Sequence, residues 1–232
     1  MLSLERVTVE FGGLTALDAL DLVVNPGEIV GLIGPNGSGK TTVLNAIGGL
    51  VPLAGGAIRW LGARIDGVAP HRIARLGISR ALQHPRPYPR LTVAENLRAA
   101  WSGGAGDWRA PVERALELVE LVHRRETAAD ALTLAERRRL NLGQAIVRPP
   151  ALLLLDEPAG GLDADEAAAM AELLAARVLP GRAALLIDHD TALLARLCGR
   201  FVALDAGRRI AEGSPEAVLA DPAVRQSLFG DA

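Results

Sequence analysis

The chain has 232 residues, half of them hydrophobic, and a formal charge of −2 built from interspersed signs. That length can bury a sizeable core as one large domain or a domain with a subdomain, and that charge leaves no basic footprint for nucleic acid. Apolar runs such as Ala151 to Leu155 are too short to span a bilayer, no secretory leader is read at the start, and the one cysteine excludes an intramolecular disulfide. A soluble protein of a reducing compartment is expected, with Cys198 as small apolar filler in a helix.

Residues 2 to 11 and 17 to 24 alternate apolar and polar positions, which predicts two strands joined by the Gly12-Gly13 turn. Asn25-Pro26-Gly27 is a second turn, leading into a short buried strand over Glu28 to Ile33 and then a helix over Thr41 to Ile47. Ala57 to Trp60 reads as a strand, Pro70 to Leu76 as a short helix and Gly77 to Leu82 as a strand. Helical patterns follow over Val93 to Trp101, Pro111 to Val122 and Glu136 to Val147, with Gly103 to Gly106 as a flexible break. The remainder alternates: strand Ala151 to Leu155, helix Asp163 to Val178, strand Ala183 to Ile187, helix Thr191 to Cys198, and short strands Phe201 to Leu204 and Arg208 to Ile210. Strands alternating with helices imply a parallel α/β core, with an antiparallel N-terminal part. The expected organisation is one domain over 1–232, in which 1–83 and 149–232 form the core and 84–148 a mostly helical subdomain.

Lys40 is the only lysine, the other 24 of the 25 basic residues being arginine. It stands in Gly34-Pro35-Asn36-Gly37-Ser38-Gly39-Lys40-Thr41, a full match to the phosphate-loop pattern G-x-x-x-x-G-K-[ST]. A compact ammonium suits this position because it must reach between β- and γ-phosphates as a point charge. The glycines let backbone N–H groups turn toward phosphates, and Thr41 can place its hydroxyl on Mg²⁺. Thr42 follows on the same helix end and joins the expected nucleotide-binding set. Strand, loop and helix N-terminus in this order form an anion site, so binding of ATP with Mg²⁺ is expected.

Two further strand ends carry chemistry. Leu152 to Leu155 runs apolar into Asp156 and Glu157. Either these acids cap the next helix, or, as in P-loop enzymes, the Asp holds Mg²⁺ and the Glu polarises the attacking water. Leu186-Ile187 runs into Asp188-His189-Asp190, which would open toward the same crevice and makes His189 a candidate γ-phosphate sensor. His71, His84 and His123 have no comparable setting and are expected at the surface.

The order phosphate loop, Gln83, helical insert, LLLLDEP, Gly160-Gly161-Leu162-Asp163 and His189 resembles the ATP-binding subunit of an ABC transporter over essentially the whole chain. FGGLTALD (Phe11 to Asp18), PHRIARLGISRALQ (Pro70 to Gln83), LTVAENL (Leu91 to Leu97) and IAEGSPEAVLADPAV (Ile210 to Val224) are similar to the branched-chain amino acid importer ATPases. Lipopolysaccharide-export ATPases resemble it somewhat less. The resemblance implies an ATPase with Phe11 stacking on adenine, Glu157 as general base, Gln83 linking the metal site to permease subunits, and Asp163 in a loop crossing a dimer interface. Phe11 has the alternative of a core residue, and Gln83 that of a polar strand end. It also implies membrane permease subunits and a second ATPase subunit as partners, a substrate-binding protein indirectly, and a place on the cytoplasmic face of the membrane. Thr133, Leu134, Ala135 and Glu136 match the signature segment that closes on the partner's γ-phosphate. Ala135 departs from the family's glycine, a position where a backbone that a Cβ disfavours by about 1 kcal/mol or more is one expectation. Thr133 to Glu136 also reads as a capping box that starts a helix.

Overall fold

The structure, a computed structural model, describes residues 1–82, 87–101 and 106–230. The first hairpin is β1 (Leu2–Phe11) against β2 (Leu14–Val24), turned by Gly12 and Gly13, both at positive φ. Leu2, Leu4, Val7 and Val9 of β1 are all buried, although a strict period of two would send Val7 and Val9 outward. Irregular pairing between Leu4 and Val7, with Arg6 at φ 48, inserts the extra residue that restores the phase. Ala19 of β2, at φ 47, lies in the next irregularity, between the Val7 and Val9 pairings, and leaves Leu17 and Leu20 both facing inward.

β3 (Ile29–Ile33) then enters a second sheet and delivers the chain through the Gly-rich loop into α1 (Lys40–Ile47). β4 (Gly55–Trp60) returns to the free edge of β1, and β5 (Ala63–Arg64) completes an antiparallel sheet of order β2-β1-β4-β5. After α2 (Pro70–Arg75) and β6 (Ile78–Ala81) the elements among the described residues are helical, chiefly α3 (Val93–Ala100), α4 (Arg109–Leu118) and α5 (Leu134–Ile146), before β7 (Leu152–Asp156). The chain closes with α6 (Ala164–Leu173), β8 (Ala183–Ile187), α7 (Thr191–Leu197), β9 (Arg200–Asp205), β10 (Arg208–Gly213), α8 (Pro215–Ala220) and α9 (Pro222–Phe229).

The second sheet has the order β10-β9-β3-β8-β7-β6, parallel from β9 to β6, with β10 antiparallel at its edge. Every residue of β7 and β8 is buried, because helices or the other sheet cover both faces. Leu153, Leu155, Ala184 and Leu186 pack with α5, α6 and α7, whereas Leu152, Leu154, Leu185 and Ile187 pack with α1 and the antiparallel sheet. The parallel arrangement brings the carboxyl ends of β3, β7 and β8 to one edge, where their loops converge.

The α/β expectation holds, with boundary differences that have local causes. The helix read over 163–178 runs regularly only to Leu173 and ends in a wide π turn over Leu174–Val178. α5 begins earlier than its apolar pattern, because Thr133 caps it. α8 and α9 lie beyond the last strand read from the sequence; each starts with a capping Ser214 or Asp221 followed by proline. Gln83 and His84 lie outside the described residues, as do Gly103 to Ala105.

Candidate functional site: a phosphate loop facing two strand-end acids

The Gly34–Gly39 loop is built by backbone that other residues resist. Gly34 lies at φ +147, and a Cβ there would sit 2.1 Å from the Leu204 carbonyl oxygen. Gly39, at φ +103, stands directly before α1, and its Cβ would meet the Ala16 carbonyl at 2.6 Å. The loop is tied to the β9–β10 turn, since Gly207 N donates to Ser38 O at 3.1 Å. Lys40 folds back over it: Nζ donates to the carbonyls of Gly34 at 2.7 Å and Pro35 at 2.8 Å. Burial pushes the Lys40 ammonium pKa below its ordinary value, and the charges of Glu157 and Asp156 oppose that shift. The ammonium is thus held in place by weak neutral acceptors that phosphate oxygens, being charged, can replace.

Asp156 ends β7 and is almost fully buried. Its Oδ2 accepts from Arg80 Nη2 at 2.6 Å, while its Oδ1 is buried without a hydrogen-bond partner. Glu157 follows at φ 49, a left-handed conformation uncommon for a residue with a Cβ, and its N–H donates to Ile187 O at 2.8 Å. That turn aims Glu157 at the end of β8, where its Oε1 lies 2.8 Å from His189 Nε2. Neither acid caps the next helix: Asp163 caps α6, accepting from Glu166 N at 2.9 Å. Asn36, Gly37, Gly39, Lys40, Thr41, Thr42, Glu157 and His189 line one cleft of about 400 Å³, closed on the β2 side by Ala16.

Other expected residues lie outside that cleft. Phe11 is not a core residue; it ends β1 with 46% of its surface exposed, which is the face a stacking residue needs. Thr133 to Glu136 stand at the start of α5, away from the chain's own cleft. The capping box is present, with Thr133 Oγ1 accepting from Glu136 N at 3.2 Å and Glu136 Oε2 from Thr133 N at 3.0 Å. Ala135 lies inside α5 and is not among the residues with positive φ, so the strained backbone expected there is not found. His71 and His123 are exposed.

Sequence reasoning missed three side chains that shape this region. Arg80 bridges Asp156 and, through Nη1 at 2.6 Å, Asn45 Oδ1 on α1. Arg138 of α5 donates to Gly160 O at 2.6 Å, tying that helix to the loop after Glu157. Asp188 is buried, with Oδ1 accepting from Asp190 N at 3.1 Å; burial holds its carboxyl pKa above the usual range. The available signal for Arg80 was a charged residue in a short parallel strand, which the fold tolerates in its interior only with a partner.

A Gly-rich loop at a helix N-terminus, with an Asp and a Glu at the end of β7 on the same edge of the parallel sheet, defines a P-loop nucleoside triphosphatase. The sequence pattern of the ABC transporter family matches residues 17–160. The chain is 34% identical over 251 residues to the high-affinity branched-chain amino acid transport ATP-binding protein BraF of Pseudomonas aeruginosa, covering 100% of this chain and 98% of the relative. The corresponding LivG of Escherichia coli (strain K12) matches with the same identity and coverage. In three dimensions the chain is similar to a nucleotide-free ATP-binding cassette from an ABC transporter, with TM-score 0.89, 27% identity, and 100% and 99% of the two chains covered. The chain belongs to the ABC transporter family, as an ATP-binding subunit with ATPase activity.

Proposed function

We propose that this subunit hydrolyses ATP to drive import of branched-chain or related amino acids, working with permease subunits and a second ATPase subunit on the cytoplasmic face of the membrane. The substrate class is supported by likeness to BraF and LivG along the full chain. No helix among the described residues is long and apolar enough to cross a membrane, so contact with the bilayer runs through the permease. A substrate-binding protein would meet that permease on the other side. Within the chain, 1–83 and 149–232 act as the nucleotide-binding core and 84–148 as the helical subdomain.

The observation that carries the hydrolytic reading is the 2.8 Å contact between Glu157 and His189 at the wall of the phosphate-loop cleft. Glu157 serves as general base toward the attacking water, and His189 holds it while sensing the γ-phosphate. Lys40 and the loop N–H groups neutralise charge on the phosphates, and Phe11 stacks on the base. Thr41 and Asp156 fit an Mg²⁺ ion, because Asp156 Oδ1 is an anionic oxygen buried without a partner. Gln83 would complete that set but lies outside the described residues. When bound there, Mg²⁺ supplies charge stabilisation to the phosphates. Since Thr133 to Glu136 lie outside the chain's own cleft, they are available to close over ATP on a second subunit, with Asp163 in the loop between the two.

Light scattering of Glu157→Gln with Mg-ATP tests this reading. Removing the base should abolish turnover, a loss of about 10²-fold or more, and trap an ATP-bound dimer. A variant that keeps wild-type ATPase activity overturns the assignment of the base.

A further inference from the structure

We propose that Arg80 is a positioning residue that makes the Asp156 site selective for a metal–nucleotide complex over a free divalent cation. The inference rests on the ATPase reading above and concerns how the same site is held before nucleotide arrives. Arg80 lies on β6, beside Leu154 of β7, and its side chain is only 13% exposed. One arm of the guanidinium holds Asp156 Oδ2 and the other holds Asn45 Oδ1, both at 2.6 Å. The fork therefore fixes a positive charge against the strand-end acid and ties it to the helix that begins in the phosphate loop.

The charge arithmetic around this contact decides what can bind. The acids here face three fixed cations: Arg80 through its ion pair with Asp156, Lys40 through its electrostatic contact with Asp156 and Glu157, and Arg138 through its electrostatic contact with Glu157 and the buried Asp188. A divalent ion arriving alone finds at Asp156 one oxygen without a hydrogen-bond partner, Oδ1, among acids that these cations already balance, with a guanidinium on the other oxygen. It gains little there against the loss of its own hydration. A nucleotide adds several negative charges that Lys40 and the loop take up, and only then does the site carry the excess that a divalent ion balances. Without Arg80, the buried Asp156 would have no balancing partner on Oδ2 and would recruit a free cation instead.

The test is electron paramagnetic resonance of Mn²⁺, used as probe, titrated into the full chain without nucleotide. ATP binding in EDTA, measured in parallel, reports that the pocket is intact. Wild type should leave Mn²⁺ free, Arg80→Gln should bind it about tenfold or more tightly than wild type, and Arg80→Lys, which keeps the charge, should stay near wild type. Arg80→Met is the second variant should Arg80→Gln not fold. Micromolar binding of Mn²⁺ by the nucleotide-free wild type overturns the proposal, as does a folded Arg80→Gln or Arg80→Met that gains no affinity. Failure of the wild type to bind ATP would instead remove the ATPase reading beneath it.

Discussion

Replacing Glu136 by glutamine isolates what its charge contributes to the segment that starts α5. Glu136 sits in the first turn of the helix, where Oε2 accepts from Thr133 N and Oε1 accepts from Arg124 Nε at 2.6 Å. Glutamine retains the shape and one acceptor oxygen, which can keep the bond from Thr133 N, so what is lost is the charge together with the hydrogen bond from Arg124. Attraction to the positive end of the helix contributes about 0.3–1 kcal/mol. The ion pair adds about 0.5 kcal/mol or less, because the Arg124 side chain is 41% exposed and screened by solvent. The sum is about 1 kcal/mol near neutral pH, which lowers Tm by about 2–4 °C in a domain of this size. The pH dependence has a definite sign. Burial raises the Glu136 carboxyl, but the Thr133 N–H and the Arg124 guanidinium together outweigh it, and the net pKa lies below the ordinary 4.5. A lowered carboxylate contributes stability that is present above its unfolded pKa and lost as pH falls through its folded one. Thermal melts of wild type and Glu136→Gln should therefore differ near neutrality and converge as pH falls below 4.5 and through the lowered value of the folded carboxyl. Equal Tm values at neutral pH, or a gap that survives in acid, would refute this account.

Three further outcomes are expected. Ala135→Gly should raise the ATPase rate of a homodimer by removing the Cβ from the surface offered to a partner's phosphate, while costing α5 up to about 1 kcal/mol in helix stability; an unchanged rate in a steady-state assay counts against the idea. Gly39→Ala places a Cβ 2.6 Å from the Ala16 carbonyl on a backbone at φ +103, so equilibrium dialysis should show loss of ATP binding, and wild-type affinity would mean the loop is not fixed as described. Cys198 is buried, and burial pushes its thiol pKa up to about 12. Its contribution to stability is complete below the unfolded thiol value of 9.0 and is lost as pH rises from there toward 12, so denaturation midpoints should fall in that range and Cys198→Ala should fall less.

Much of the site was legible because its chemistry sits at strand ends that apolar runs announce. Ile29–Ile33, Leu152–Asp156 and Ala183–Ile187 are short, buried and continuous, so the residues just beyond them fall at one edge of a parallel sheet. What escaped was set by contacts distant in sequence. Arg80 reads as a polar residue in a short strand until β7 brings Asp156 to it, 76 residues on. The phase change at Arg6 depends on pairing with β2, and the π turn at Leu174 depends on packing, which periodicity alone does not encode. For α8 and α9 the signals were local, in Ser214-Pro215 and Asp221-Pro222, but the helices are short and weakly patterned. The capping box at Thr133 was readable, and it is the structure that removes backbone strain from the Ala135 question.

Because Lys40 is the only lysine in this sequence and its ammonium is drawn back onto Gly34 and Pro35, a protease that cuts after lysine has one target bond in it, and that bond lies in the lining of the nucleotide cleft. Digestion would yield only the fragments 1–40 and 41–232, at a rate set by how often α1 opens. Nucleotide that packs against this turn should slow the cut, so the appearance of two bands on a gel is a footprint of site occupancy that requires no label and no engineered reporter.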